Sequence, residues 1–187
     1  MRVTAEAGQA GFSLVELLIV MFGIVAIAGV TVPQFNNVIE AQRARNGARM
    51  VEQELQSARL KAVSASRPLR VRLNCPAAGQ VRTVEVTGIA TTDNASNRCD
   101  PVAFPTPGPN DGLRATPSLD SPVAYLPAGT TVTGTTLAIE FGPKGTVHLV
   151  NASGTPTAIA GDLSLTVTRQ GYSRTVTVNA LGRVRLN

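Results

Sequence analysis

Tryptophan is absent from this 187-residue chain, and aromatic residues make up only 4% of it. That scarcity leaves no aromatic series on which single-stranded bases could stack, with only Tyr172 near the C-terminus. There is one histidine, His148, alternating with Val147 and Leu149 as in a strand. No serine or cysteine nucleophile stands beside it in a recognisable setting, so it reads as structural rather than as a catalytic base. The two cysteines, Cys75 and Cys99, cannot build a disulfide scaffold or a four-ligand zinc site. Nothing in the sequence calls for a metal, a cofactor or an enzymatic activity. Charge is also sparse, at 16% of residues, with a formal net charge of +5. A positive balance of that size is compatible with an anionic partner but usually marks only an ordinary soluble surface.

What is present begins with a long apolar run. From Phe12 to Val32 the only strongly polar side chain is Glu16. At about 1.5 Å per residue, a helix over this run spans roughly 30 Å, the thickness of a bilayer core. A carboxylate inside such a run costs about 2.5–3.5 kcal/mol at the bilayer centre and less near the end of the segment. A disposable secretory signal has no reason to carry it, although Ala26-Ile27-Ala28 offers a cleavage site that would start the mature chain near Gly29. The thin n-region, with Arg2 its only basic side chain, also argues against such a signal.

The next segment keeps a helical period. Ala44, Ala48, Val51, Leu55, Ala58 and Ala62 form an apolar stripe, ringed by Arg43, Arg45, Arg49, Glu52 and Arg59. Small residues on that stripe suit close packing against a sheet; Gly47 is a weak point and Pro68 marks the expected end. Beyond Pro68 the period becomes two. Strands are expected at 69–74, 81–88, 135–141, 145–150, 163–168 and 173–179, with a short last one in "GRVRLN". "FGPKGT" and "RQGYSR" read as tight turns between strands, which predicts an antiparallel, hairpin-linked sheet. Residues 100–130 hold seven of the twelve prolines and read as a surface loop. If the domain lies outside the cytoplasm, Cys75 and Cys99 can pair and close a loop; two buried free thiols are the alternative.

The stretch "GFSLVELLIVMFGIVAIAGVTVPQF" resembles the N-terminus of a type IV prepilin. The family signature is a hydrophilic leader ending in glycine, then phenylalanine, then glutamate at the fifth mature position. Gly11, Phe12 and Glu16 match it, and Pro33 falls where many pilins carry a helix-bending proline. The resemblance implies that a prepilin peptidase cuts between Gly11 and Phe12 and methylates the new amine. It also implies that Glu16 meets the N-terminal ammonium of a neighbouring pilin or pseudopilin subunit, a pair strengthened by the low dielectric of a filament core. The leader contains Glu6 as well as Arg2 and is less basic than usual.

The implied organisation is a leader at 1–11, a transmembrane and filament-core helix at 12–33, its amphipathic continuation at 34–67, and a β-rich globular domain at 68–187. The fold class is α+β, type IV pilin-like. The chain would sit in the bacterial inner membrane with its domain in the periplasm, then enter a pilus or pseudopilus.

Two further stretches, "ELQSARLKAVSASRPLRVRL" and "FGPKGTVHLV…SRTVTVNALGRVRLN", resemble FimT- and FimU-like minor pilins and the H-type pseudopilin of type II secretion. That family implies a minor subunit at or near a filament tip. FimT-like members capture extracellular DNA for natural transformation through a G-R-x-R motif, which Gly182, Arg183, Val184 and Arg185 match. Arg169 and Arg174 belong to the same acid-free stretch, 163–187, and alternation aims Arg183 and Arg185 to one side. Guanidinium contacts to duplex phosphates would follow. A purely structural H-type pseudopilin that binds no DNA stays open beside this reading, since arginine-rich edge strands also protect sheets from pairing with one another.

Overall fold

The computed structural model describes residues 12–187 apart from 110, 114, 135, 137 and 152, and the side chains of 30–33 are not described. Gly11 and the leader therefore lie outside the described residues. The chain divides into two compact units, Met1–Ile39 and Glu40–Asn187.

One helix, α1, runs over Leu14–Ser64. Its apolar N-terminal stretch is long enough and apolar enough to cross a membrane, by length and composition. Side chains that would normally be buried stand outward there, with Phe22 78% exposed, and Phe12, just before the helix, is 84% exposed. In the second unit the helix changes character. All six residues of the stripe from Ala44 to Ala62 are at most 1% exposed, as their spacing predicts. Gly47 is a point of close packing rather than weakness. A Cβ there would lie 3.1 Å from Thr130 Cγ2 and 3.5 Å from Val167 Cγ1.

Ten strands follow: β1 (Leu69–Leu73), β2 (Gln80–Glu85), β3 (Ala124–Tyr125), β4 (Thr131–Gly134), β5 (Ala138–Phe141), β6 (Val147–Val150), β7 (Pro156–Ala158), β8 (Leu163–Arg169), β9 (Tyr172–Val178) and β10 (Val184–Leu186). A one-turn helix, α2, occupies Ala90–Asp93. Every described pairing is antiparallel. The expected single hairpin-linked sheet is in fact two. One has the order β3-β2-β1-β5-β6-β7 and the other β10-β9-β8-β4. Two long-range pairings, β1 with β5 and β4 with β8, make the difference.

Both expected turns form. The Gly145 amide donates to the Gly142 carbonyl at 2.9 Å between β5 and β6. Gln170 (φ +48°) and Gly171 (φ +81°) make the two-residue connection between β8 and β9, whose positive φ values match the twist of a hairpin. Core residues from α1 and from both sheets, among them Leu55, Val71, Phe141, Leu165 and Val176, form one buried cluster.

The outer face of the larger sheet is covered as well, which explains why β1 and β2 bury both faces. Cys75 and Cys99 are disulfide-bonded and close a segment that folds back over β1. Arg70 Nη1 donates to Asn94 Oδ1 at 2.9 Å, and Arg72 Nη1 donates to the Ala95 carbonyl at 3.2 Å. Arg72 and Arg82 stand directly opposite each other across β1 and β2. Burial is the largest cause holding both guanidinium groups below their ordinary pKa.

The proline-rich segment is pinned by three arginines. Arg82 donates to the Phe104 and Ser121 carbonyls. Arg98 pairs with Asp120, with Nη2 to Oδ1 at 2.8 Å, and stacks 4.6 Å from the Phe104 ring centroid. Arg67 pairs with Glu85 and donates to the Pro117 carbonyl. Its surface prolines therefore lie on an anchored cover.

Candidate nucleic-acid interface

The C-terminal motif occupies the turn from β9 to β10 and the strand that follows. Asn179 organises the turn: its Oδ1 accepts from the amides of Leu181 (3.1 Å) and Arg183 (2.8 Å). The Gly182 amide donates to the Asn179 carbonyl at 2.9 Å. Gly182 itself is buried with φ +76°, and a Cβ on it would lie 2.5 Å from Arg59 Nε and 2.7 Å from the Gly145 carbonyl oxygen. The glycine of the motif is thus required by packing, where the turn presses on α1 and on the β5–β6 turn.

After Gly182 the strand period takes over. Val184 turns into the core, while Arg183 and Arg185 are exposed on the opposite side, as alternation predicts. Neither side chain has an acidic partner among the described residues.

The other two expected arginines do not join them. Arg169 is 8% exposed, and its Nε donates to Glu40 Oε2 on α1 at 2.6 Å. It fastens the sheet to the helix. Arg174 pairs with Val167 in the register of β8 and β9, and shares strand parity with the buried Val176 and Val178. By that parity it lies on the helix side of the sheet, and it is exposed there. Arg185 pairs with Thr177, of the opposite parity. The face carrying Arg183 and Arg185 is therefore the outer one, and Arg174 is on the other. Counting back from Val176 in the sequence would have found this.

The fold brings two further cations near the motif, a nearness that the sequence reading did not give. Arg59 Nη2 donates to the Leu181 carbonyl at 3.0 Å. Lys144 is exposed in the β5–β6 turn, next to Gly145, whose carbonyl approaches Gly182. Neither signal is local: α1 and this turn meet the motif only in the fold.

At the other end of the chain, Phe12 precedes the helix and Glu16 lies in its first turn, exposed among apolar neighbours. A carboxylate at that place is also favoured by the positive end of the helix dipole. His148 pairs with Glu140 in the register of β5 and β6 and lies half-buried in the sheet. No group of three or more His, Cys, Asp or Glu side chains suited to a metal ion occurs among the described residues.

No protein-family model matches the sequence, and no curated protein matches it. Solved structures similar to the chain are minor subunits of type IV pili and of a type 2 secretion pseudopilus. One is the type IV minor pilin FimU of Pseudomonas aeruginosa PAO1, at 17% identity over 82% of this chain and 92% of that one, with a TM-score of 0.47. A second crystal form of FimU gives 16% identity, 76% and 91% coverage, and a TM-score of 0.42. The minor pseudopilin EpsH from the Type 2 Secretion System of Vibrio cholerae gives 12% identity, 78% and 96% coverage, and a TM-score of 0.45.

Proposed function

We propose that this chain is a minor subunit of a type IV filament, and that Arg183 and Arg185 capture duplex DNA. The observation carrying the first part is the N-terminus. Exposed Phe12 and then an apolar helical stretch with outward-facing Phe22 follow Gly11 in the sequence, and Glu16 is the only strongly polar side chain from 12 to 32. Such a surface needs a bilayer or other copies of the same helix around it. Prepilin peptidase, the inner membrane and neighbouring pilin subunits are its successive partners in this reading.

DNA capture is supported by two exposed guanidinium groups, on one side of an edge strand, in sheet strands that contain no acid. Arginine forks match phosphate oxygens, and contact to the backbone is independent of sequence. The second reading, an H-type pseudopilin without DNA binding, draws on Gly182, whose presence packing alone explains. Titrating the full chain in nonionic detergent against duplex DNA at several salt concentrations separates the two. Binding that falls with salt and is lost in Arg183→Ala/Arg185→Ala supports capture; no binding at low salt leaves the pseudopilin reading.

A further inference from the structure

The outer face of the four-stranded sheet is lined almost wholly by hydroxyl groups, in rows set by the strand register. Thr133, Thr166 and Thr175 stand opposite one another across β4, β8 and β9. Thr131, Thr168 and Ser173 make the row on one side of them. Ser164, Thr177 and Arg185 make the row on the other side, across β8, β9 and β10. Thr133 spends its hydroxyl on the Thr166 carbonyl (3.4 Å) and Thr177 on the Arg185 carbonyl (3.4 Å). The other hydroxyls make no hydrogen bond within the protein among the described residues. No acid lies within β4, β8, β9 or β10.

We propose that this face, and not the arginine pair alone, is the DNA-binding surface, with the phosphodiester backbone laid across the hydroxyl rows and held at the β10 edge by Arg183 and Arg185. The proposal rests on the DNA reading above. Its occupant follows from charge and chemistry. The exposed Asp162, one residue before β8, shares the parity of Ser164, but Arg183 and Arg185 outnumber it at this edge, and a face with a net positive edge favours a polyanion. Neutral hydroxyls can donate to anionic oxygens without adding charge, and serine and threonine are ordinary phosphate donors. Without an aromatic ring or a large apolar side chain, the rows give neither base stacking nor a hydrophobic docking patch. Arg174, on the opposite face, takes no part.

The test is a salt titration of the full chain in nonionic detergent with duplex DNA, comparing affinity with salt slope. Thr166→Val/Thr175→Val removes from one row two hydroxyls that make no bond within the protein among the described residues, and no charge. Binding weaker by roughly tenfold at an unchanged slope is expected, from a few-fold per lost hydrogen bond. Affinity within twofold of the parent overturns the proposal. If that variant fails to fold by circular dichroism, Thr166→Lys decides. A lysine in mid-face steepens the log–log salt slope by about 0.9 if phosphates cross it, and leaves the slope unchanged if they do not. Arg174→Ala is expected to keep the parental slope, whereas a decrease as large as that of Arg185→Ala would contradict the assigned face. Failure of the parent chain to bind DNA sinks the DNA reading and this proposal together. Binding lost in Arg183→Ala/Arg185→Ala but indifferent to the threonine changes sinks the proposal alone.

Discussion

Arg169, at the end of β8, donates its Nε proton to Glu40 on α1 at 2.6 Å, and the same carboxylate accepts from Arg43 at 2.9 Å. The bond joins two residues 129 positions apart and closes one end of the contact between helix and sheet. The hydrogen bond from Arg169 is the largest cause holding the Glu40 carboxyl below its ordinary pKa.

That shift has a definite sign. A carboxyl whose folded pKa is depressed stabilises the fold above its unfolded pKa of about 4.3, and loses that contribution as pH falls through the folded value. Glu40→Gln is therefore expected to lower the Tm of the domain at neutral pH. The difference from the parent shrinks as the pH drops below about 4.3 and disappears below the folded pKa. Thermal melts by circular dichroism across that range check it; a constant difference at all pH values would contradict the pairing.

Gly182→Ala tests whether the motif's glycine serves packing. The new methyl would be forced against Arg59 and the Gly145 carbonyl, at a residue with φ +76°. A loss of roughly 1–3 kcal/mol in urea denaturation is expected. A fully stable variant with impaired DNA binding would instead assign the glycine to close approach of the ligand.

The Cys75–Cys99 bond closes a segment with a sequence separation of 24. Cys75→Ser/Cys99→Ser is expected to lose about 3 kcal/mol by the chain-entropy account. Denaturation of the double variant with and without reductant checks this, since reductant has no further effect on the variant and brings the parent down to the same midpoint.

Much of this was legible because the relevant patterns are periodic. The alanine-rich stripe at helical spacing gave the buried face of α1, and alternation put Arg183 and Arg185 on one side, which the fold makes the outer one with Val184 inward. The β8–β9 hairpin was visible in Gln170-Gly171, where both residues take positive φ. The disulfide was one of two open alternatives, and the fold brings the two cysteines together.

What escaped the reading depends on partners distant in sequence. β4 and β7 are short strands at sheet edges, and β4 buries only Val132, too little to register as alternation. The division into two sheets follows from β1 pairing with β5 and β4 with β8, which no local turn announces. Arg169 looked like a surface cation in an acid-free stretch, and its acid was on the helix. The proline-rich segment looked unattached because the arginines that hold it, Arg67, Arg82 and Arg98, lie before it in the chain.

The most direct test of the central claim, that this is a filament subunit, is the intact mass and N-terminal sequence of the chain after expression in bacteria with and without a prepilin peptidase. The account predicts a chain beginning at N-methylated Phe12 when the peptidase is present, the uncut chain when it is absent, and no processing of Gly11→Leu in either case. A mature start near Gly29, independent of the peptidase, would contradict it and make the apolar segment an ordinary secretory signal.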